Sequence, residues 1–187
     1  LDEHFGKTAF AQEHNVSLTG GNDKYDFYFS GNLLDQEGIL RWGDDSQQRY
    51  TINAKINVNL TKWLTFGYSA RWYRGKYDAP SFVSQYASNE LYHNIARYWP
   101  IVPTHDPNGY PVVESFIDGM QNGGRYKNWE DKFDQQFAFR FHPLEGLNIN
   151  AEFNYRTQHT NTSQDIQQAY GWDCDGNPYK RNPNGYP

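Results

Sequence analysis

The chain has 187 residues, with 22 Asp and Glu against 17 Lys and Arg, and its net charge of −5 argues against a protein that holds nucleic acid through phosphate contacts. Aromatic residues make up 18% of a strongly hydrophilic sequence, and a single Cys174 leaves no internal disulfide framework to build on. No run of about 18 apolar residues is present, which excludes a transmembrane helix but not membrane strands, since these need only about 9 to 11 alternating residues.

Period-two alternation, the mark of strands with unlike faces, begins at Asn15. A first strand sets Val16, Leu18 and Gly20 against Asn15, Ser17 and Thr19, and Gly21, Asn22 and Asp23 supply a tight turn into a second. There Tyr25, Phe27, Phe29, Gly31 and Leu33 oppose Asp26, Tyr28, Ser30 and Asn32. The third strand sets Tyr50, Ile52, Ala54, Ile56, Val58 and Leu60 against Arg49, Thr51, Asn53, Lys55, Asn57 and Asn59, a pattern that a one-residue slip would invert. A short link through Thr61, Lys62 and Trp63 leads to the fourth, with Leu64, Phe66, Tyr68, Ala70 and Trp72 opposite Thr65, Gly67, Ser69, Arg71 and Tyr73. In the fifth, Phe133, Gln135, Phe137, Phe139 and Phe141 oppose Asp134, Gln136, Ala138 and Arg140. After a turn through Pro143 and Gly146, the sixth sets Leu147, Ile149, Ala151, Phe153 and Tyr155 against Asn148, Asn150, Glu152, Asn154 and Arg156.

The apolar faces carry no charge, as both a membrane strand and a soluble sandwich core require. Connection lengths separate the two. They run short, long, short, long, short, with the long segments at 35–48 and 75–130, the rhythm of outer-membrane barrels with tight periplasmic turns and long outer loops. Trp63 near a short turn, and Trp42, Trp72 and Trp129 towards the long loops, fit two aromatic girdles. A six-stranded half-apolar sheet must bury its apolar face, and little of the remaining sequence can cover it. The one helix-like stretch, about 81–97, offers Phe82, Tyr86, Leu91 and Ile95, so lipid is the simpler partner. Six strands are too few to close a barrel, which takes at least about eight, so further strands are expected beyond Pro187, and the start at Leu1 reads as processed or truncated. The expected fold is all-β: a segment of a larger antiparallel up-and-down transmembrane β-barrel with long extracellular loops.

Three groups of residues carry the resemblance to a known family: His14-Asn15-Val16-Ser17-Leu18-Thr19-Gly20-Gly21; Tyr25 to Ser30; and Leu34-Asp35-Gln36-Glu37-Gly38-Ile39-Leu40. Together with Arg49-Tyr50, the Leu60 to Leu64 turn and Asp78-Ala79-Pro80-Ser81, they resemble the start of the barrel in SusC-like TonB-dependent transporters. The likeness is dense over 9–82, looser over 127–157, and carries no motif over 83–126 or after 158. It implies residues 1–13 as a lead-in from a plug domain, 14–157 as the first barrel strands and loops, and 158–187 as the start of an extracellular loop. It further implies import of glycans or peptides across the outer membrane of a Gram-negative bacterium, with a SusD-like surface lipoprotein as lid. Energy would come through TonB, engaged by N-terminal parts outside this chain.

Candidate solute contacts fall in two places. Tyr28, Arg71, Tyr73, Arg140 and Arg156 point inward, to touch solute or plug, or to form a solvated wall of charge pairs. The 75–130 segment offers Tyr92, Tyr98, Trp99, His105 and Tyr110, aromatic faces that suit sugars or peptides, unless they pack on one another around Pro100, Pro103 and Pro107. Asp173, Asp175 and Asn177 mimic the opening of a calcium loop, but the distal bidentate Glu is absent and a glycine turn is expected. The six His residues form no close ligand pair and Cys174 has no base beside it, so no enzyme activity, cofactor or metal is expected. One rival reading is a soluble aromatic-rich β domain that binds carbohydrate on aromatic platforms. Another is a complete small barrel, with extra strands such as one over 110–118.

Overall fold

A computed structural model describes residues 3–81, 91–112, 115–173 and 175–180. It is all-β in its main body, built on β1 (Ala11–Gly21), β2 (Tyr25–Glu37), β3 (Ser46–Thr61), β4 (Leu64–Pro80), β5 (Arg125–Leu144) and β6 (Leu147–Gln164). Two short helices, α1 (Leu91–Ala96) and α2 (Ile117–Asn122), lie between β4 and β5, and a small hairpin, β7 (Tyr170–Trp172) with β8 (Pro178–Lys180), follows. The six long strands form one sheet in the order β1-β2-β3-β4-β5-β6, each antiparallel to the next. Among the described residues no helix is long and apolar enough to cross a membrane.

Turn chemistry explains the short links. Residues 22–24 join β1 to β2, where the Asn22 side-chain oxygen accepts from the backbone N–H of Lys24 at 2.8 Å and of Tyr25 at 3.2 Å. Glu145 and Gly146 join β5 to β6, and the positive φ of Gly146, 81°, is one a side chain would resist.

The register aligns the alternations of all six strands. Phe27 stands opposite Ile56, Ile56 opposite Tyr68, Tyr68 opposite Phe137, and Phe137 opposite Phe153, so one row across the sheet is wholly apolar. The next rows, Tyr25-Val58-Phe66-Phe139-Ala151 and Gly31-Ile52-Trp72-Phe133, repeat the pattern on the same face. Ring pairs stitch it across strands, with centroids 5.2 Å apart for Phe66 and Phe139 and 5.0 Å for Tyr68 and Phe137. The band runs from Tyr50 to Leu60 on β3, roughly 33 Å along the strand and about 23 Å high at a 45° tilt, close to the apolar height of an outer-membrane barrel.

No second layer of described residues covers this band. Val16, Leu18, Ile52, Ile56, Leu60, Ile149 and Phe153 are all exposed, Val16 at 72% and Phe153 at 60%. Gln135 is the polar residue of the band on β5, and the Tyr68 hydroxyl donates to its Oε1 at 3.1 Å, so each satisfies the other. Removing one partner strands the other in apolar surroundings. Tyr68→Phe is therefore expected to cost about 1–3 kcal/mol, and adding Gln135→Leu to restore most of it, as read by denaturant titration.

The strands are longer than the alternation suggests. β3, β4, β5 and β6 have 16, 17, 20 and 18 residues, because beyond the band they continue with polar side chains on both faces. β5 starts at Arg125, ahead of the expected Phe133, and β6 runs on to Gln164, so 158–164 belong to a strand where a loop was expected.

Among the described residues, the apolar cluster with buried members lies at the long-connection end, where Leu40, Ile95, Ile117 and Met120 pack together with Phe5, Trp42 and Phe116 around them. Gly43 makes this possible: its φ is 78°, and a Cβ there would stand 2.0 Å from the Met120 carbonyl oxygen. Trp42 therefore belongs to this cluster, its indole N–H donating to the Glu3 carbonyl at 2.8 Å, and not to a girdle. Residues 4–6 run beside 39–41, with Gly6 donating to Ile39 at 2.8 Å and Arg41 to His4 at 2.9 Å. The expected helix over 81–97 is seen as Leu91–Ala96, with 82–90 outside the described residues. Over 110–118, Pro111 bridges to His105 and Ile117 opens a helix, with 113–114 outside the described residues.

Candidate functional site

The opposite face of the sheet is mostly polar and carries the charges, with Leu34, Ala79 and Ala138 among its few apolar positions. One row across it reads Asn53, Arg71, Asp134, Arg156, and the next Tyr28, Lys55, Ser69, Gln136, Asn154. Together these rows line a concavity of about 630 Å³.

Hydrogen bonds order most of this surface. Arg156 donates through Nε to Asp134, Ser69 donates to Gln136 at 3.3 Å, Gln136 donates to Glu152 at 3.2 Å, and Asn53 donates to Ser30 at 3.1 Å. One row further out, Lys132 pairs with Glu130 at 2.7 Å and lies 5.3 Å from the Tyr73 ring centroid. Arg71 differs. Its cross-strand neighbour Asp134 is engaged by Arg156, and among the described residues Arg71 makes no ion pair. An exposed guanidinium among amides and hydroxyls offers donors to the carboxylates or hydroxyls of a polar solute.

The sequence-derived candidates therefore separate. Arg71 and Tyr73 lie together on the polar face, whereas Arg140 pairs in register with Thr65, six residues further along β5 from Asp134 and roughly 20 Å away. Tyr98 faces inward in the loop cluster: its hydroxyl donates to the Pro103 carbonyl at 2.8 Å and its ring sits 5.5 Å from that of His4. Trp99 is 69% exposed. Tyr92 falls in α1, its side chain outside the described residues. Tyr110 stacks on Trp172 at 5.6 Å, and His105 lies 6.2 Å from Trp42. Asp134, Gln136 and Asn154 complete the concavity without having been singled out, since only the cross-strand register brings them beside Arg71.

At the tip between β7 and β8, Asp173 Oδ1 accepts from the backbone N–H of Asn177 at 2.8 Å and of Asp175 at 3.0 Å. These bonds, with the Asn177 amide at 3.2 Å, hold its carboxyl below the usual carboxylate range. The carboxylate is turned onto its own loop, as a glycine turn through Gly176, φ 79°, requires. A lowered pKa means this support is present above about pH 4 and fades as acid protonates the group. Among the described residues no group of His, Cys, Asp and Glu is placed to hold a metal ion.

No protein-family model matches the chain. It is similar to the TonB-dependent receptor P3 of Formosa agariphila, at 21% identity over 154 residues, 78% of this chain and 15% of that receptor. The chain thus spans a small part of that relative's length, and the similarity suggests the TonB-dependent receptors and, with them, the outer membrane.

Proposed function

We propose that the chain is part of the barrel wall of a SusC-like, TonB-dependent outer-membrane transporter that imports glycans or peptides, with no enzymatic step of its own. The observation that carries this reading is the uncovered apolar band, continuous over six strands and backed by a polar, charge-bearing face. Lipid is the partner such a band fits, and a hydrated lumen fits the other face. β1 and β6 present open edges, intolerable in lipid, so we place further strands of the parent protein against both. In this reading Arg71 and Tyr73 meet solute in the lumen and Trp99 meets it at the outer mouth, where a SusD-like lipoprotein closes. The similarity to a TonB-dependent receptor supports energy coupling through TonB.

The test is uptake of fluorescent oligosaccharides and peptides by cells of the source bacterium with and without the gene for the full-length protein. Loss of uptake of one class on deletion, and equally on collapse of the proton-motive force, is the expected result. Unchanged uptake of both classes would refute the transport reading.

A further inference from the structure

Beyond the band, on the same outward face, the sheet carries a second concavity, of about 520 Å³. Its floor is set by register: Gln48, Lys76 and Trp129 form one row, and Ser46, Asp78 and Lys127 the next. Lys76 lies four positions beyond Trp72, roughly 13 Å along the strand and about 9 Å along the membrane normal at a 45° tilt. That is the depth of the headgroup layer, if the band spans the hydrocarbon.

Charge here is unequally neutralised. Arg74 is held by Asp131 through two bonds, of 2.6 and 3.0 Å. Asp78 is taken by Arg125 at 2.7 Å, leaving Lys127 at 3.9 Å from its second oxygen. Lys76 forms no ion pair among the described residues and leans on the Tyr50 ring, 5.7 Å from its centroid. The carboxylates around Lys76 are engaged by other groups: Asp131, diagonal to it in register, by Arg74; Asp78, two residues on, by Arg125; and Asp35, two strands away, by Gln48 at 3.4 Å. Two ammonium groups thus flank an indole in a recess that opens sideways, away from the polar face.

We propose that this recess binds the phosphate-bearing headgroup of a membrane lipid, with Lys76 and Lys127 on the phosphate and Trp129 against the glycerol and upper acyl region. Lysines suit a headgroup that arrives in varied orientations, since an ammonium recognises phosphate as a point charge. An aromatic side chain at this depth keeps its ring in the interface. The inference rests on the membrane reading above, and its test separates the two.

Full-length protein is inserted into vesicles of phosphatidylcholine mixed with phosphatidic acid, released, and examined by native mass spectrometry for retained lipid. Selective retention of phosphatidic acid is expected, falling about fivefold with Lys76→Gln or Lys127→Gln and about 25-fold with both, while Lys132→Gln on the opposite face leaves it unchanged. The single variants carry the result if the double variant folds poorly. Equal retention of both lipids, or equal retention by wild type and variants, would overturn the site and leave the membrane reading standing. Displacement of the lipid by inorganic phosphate alone would identify a soluble-anion site and overturn the lipid assignment. Failure to enter vesicles of either composition would overturn both.

Discussion

Ile56→Arg in the full-length protein is expected to destabilise the membrane-inserted fold by about 2–4 kcal/mol, and Asn57→Arg, one residue later, by less than about 0.5 kcal/mol. Ile56 sits near the middle of the apolar band between Phe27 and Tyr68, where a guanidinium would face hydrocarbon with no partner in reach. Asn57 points to the other face and already donates to Asp26 at 2.7 Å, so an Arg there gains a carboxylate. Denaturant titration of vesicle-inserted protein reads both costs. Equal costs at the two positions would mean that the faces do not differ in environment, and the lipid assignment would fall.

Ile117→Ala is expected to remove about 2–4 kcal/mol of local stability from the loop cluster while leaving the sheet intact. Ile117 is 1% exposed and packs with Leu40 from the β2–β3 connection and with Ile95 and Met120 from its own β4–β5 connection. Truncating it opens a cavity shared by all three, so amide exchange should quicken by about two orders of magnitude over 38–42 and 117–122. Amides of Tyr50 to Leu60 should not change, because their partners are on β2 and β4. A uniform rise across the strands would show that loops and sheet unfold as one unit.

The two substitutions probe parts of the molecule that differ in how far the sequence discloses them. Faces were readable because side-chain period in a strand is two, and Tyr50 to Leu60 keeps that period without a break; every partner strand then matches in register. Strand ends were not readable. Tyr73 to Pro80 and Arg125 to Lys132 carry polar residues on both faces, and what holds them together is cross-strand pairing such as Arg74 with Asp131, which no single segment displays. The cluster of Leu40, Ile95, Ile117 and Met120 was not readable for a related reason: Ile95 stood out only as one side of a helix-like stretch, and only the folded loops bring it together with Leu40 and with Ile117 and Met120 of α2. Trp42 looked like a girdle residue by its nearness to a strand, until the positive φ of Gly43 turned the chain back into the loops.

The candidate site divides in the same way. Arg71 and Tyr73 were legible as neighbours on a polar face, since they are two residues apart on one strand. Capture of Asp134 by Arg156, which leaves Arg71 without an ion-pair partner among the described residues, depends on the registers of β4 with β5 and of β5 with β6. Arg140 shares the face but not the place, because sequence pattern gives a side and not a height along the strand.

The most direct test of lipid on one face and water on the other is a spin-label scan of β3. Single cysteines replace residues 50 to 60 in turn in the vesicle-inserted full-length protein, and each label is probed with oxygen and with a water-soluble nickel complex. The expected result is a strict alternation, with oxygen favoured at Tyr50, Ile52, Ala54, Ile56, Val58 and Leu60 and nickel favoured at Thr51, Asn53, Lys55, Asn57 and Asn59. High nickel accessibility at both sets would contradict a lipid-facing band and return the sheet to water.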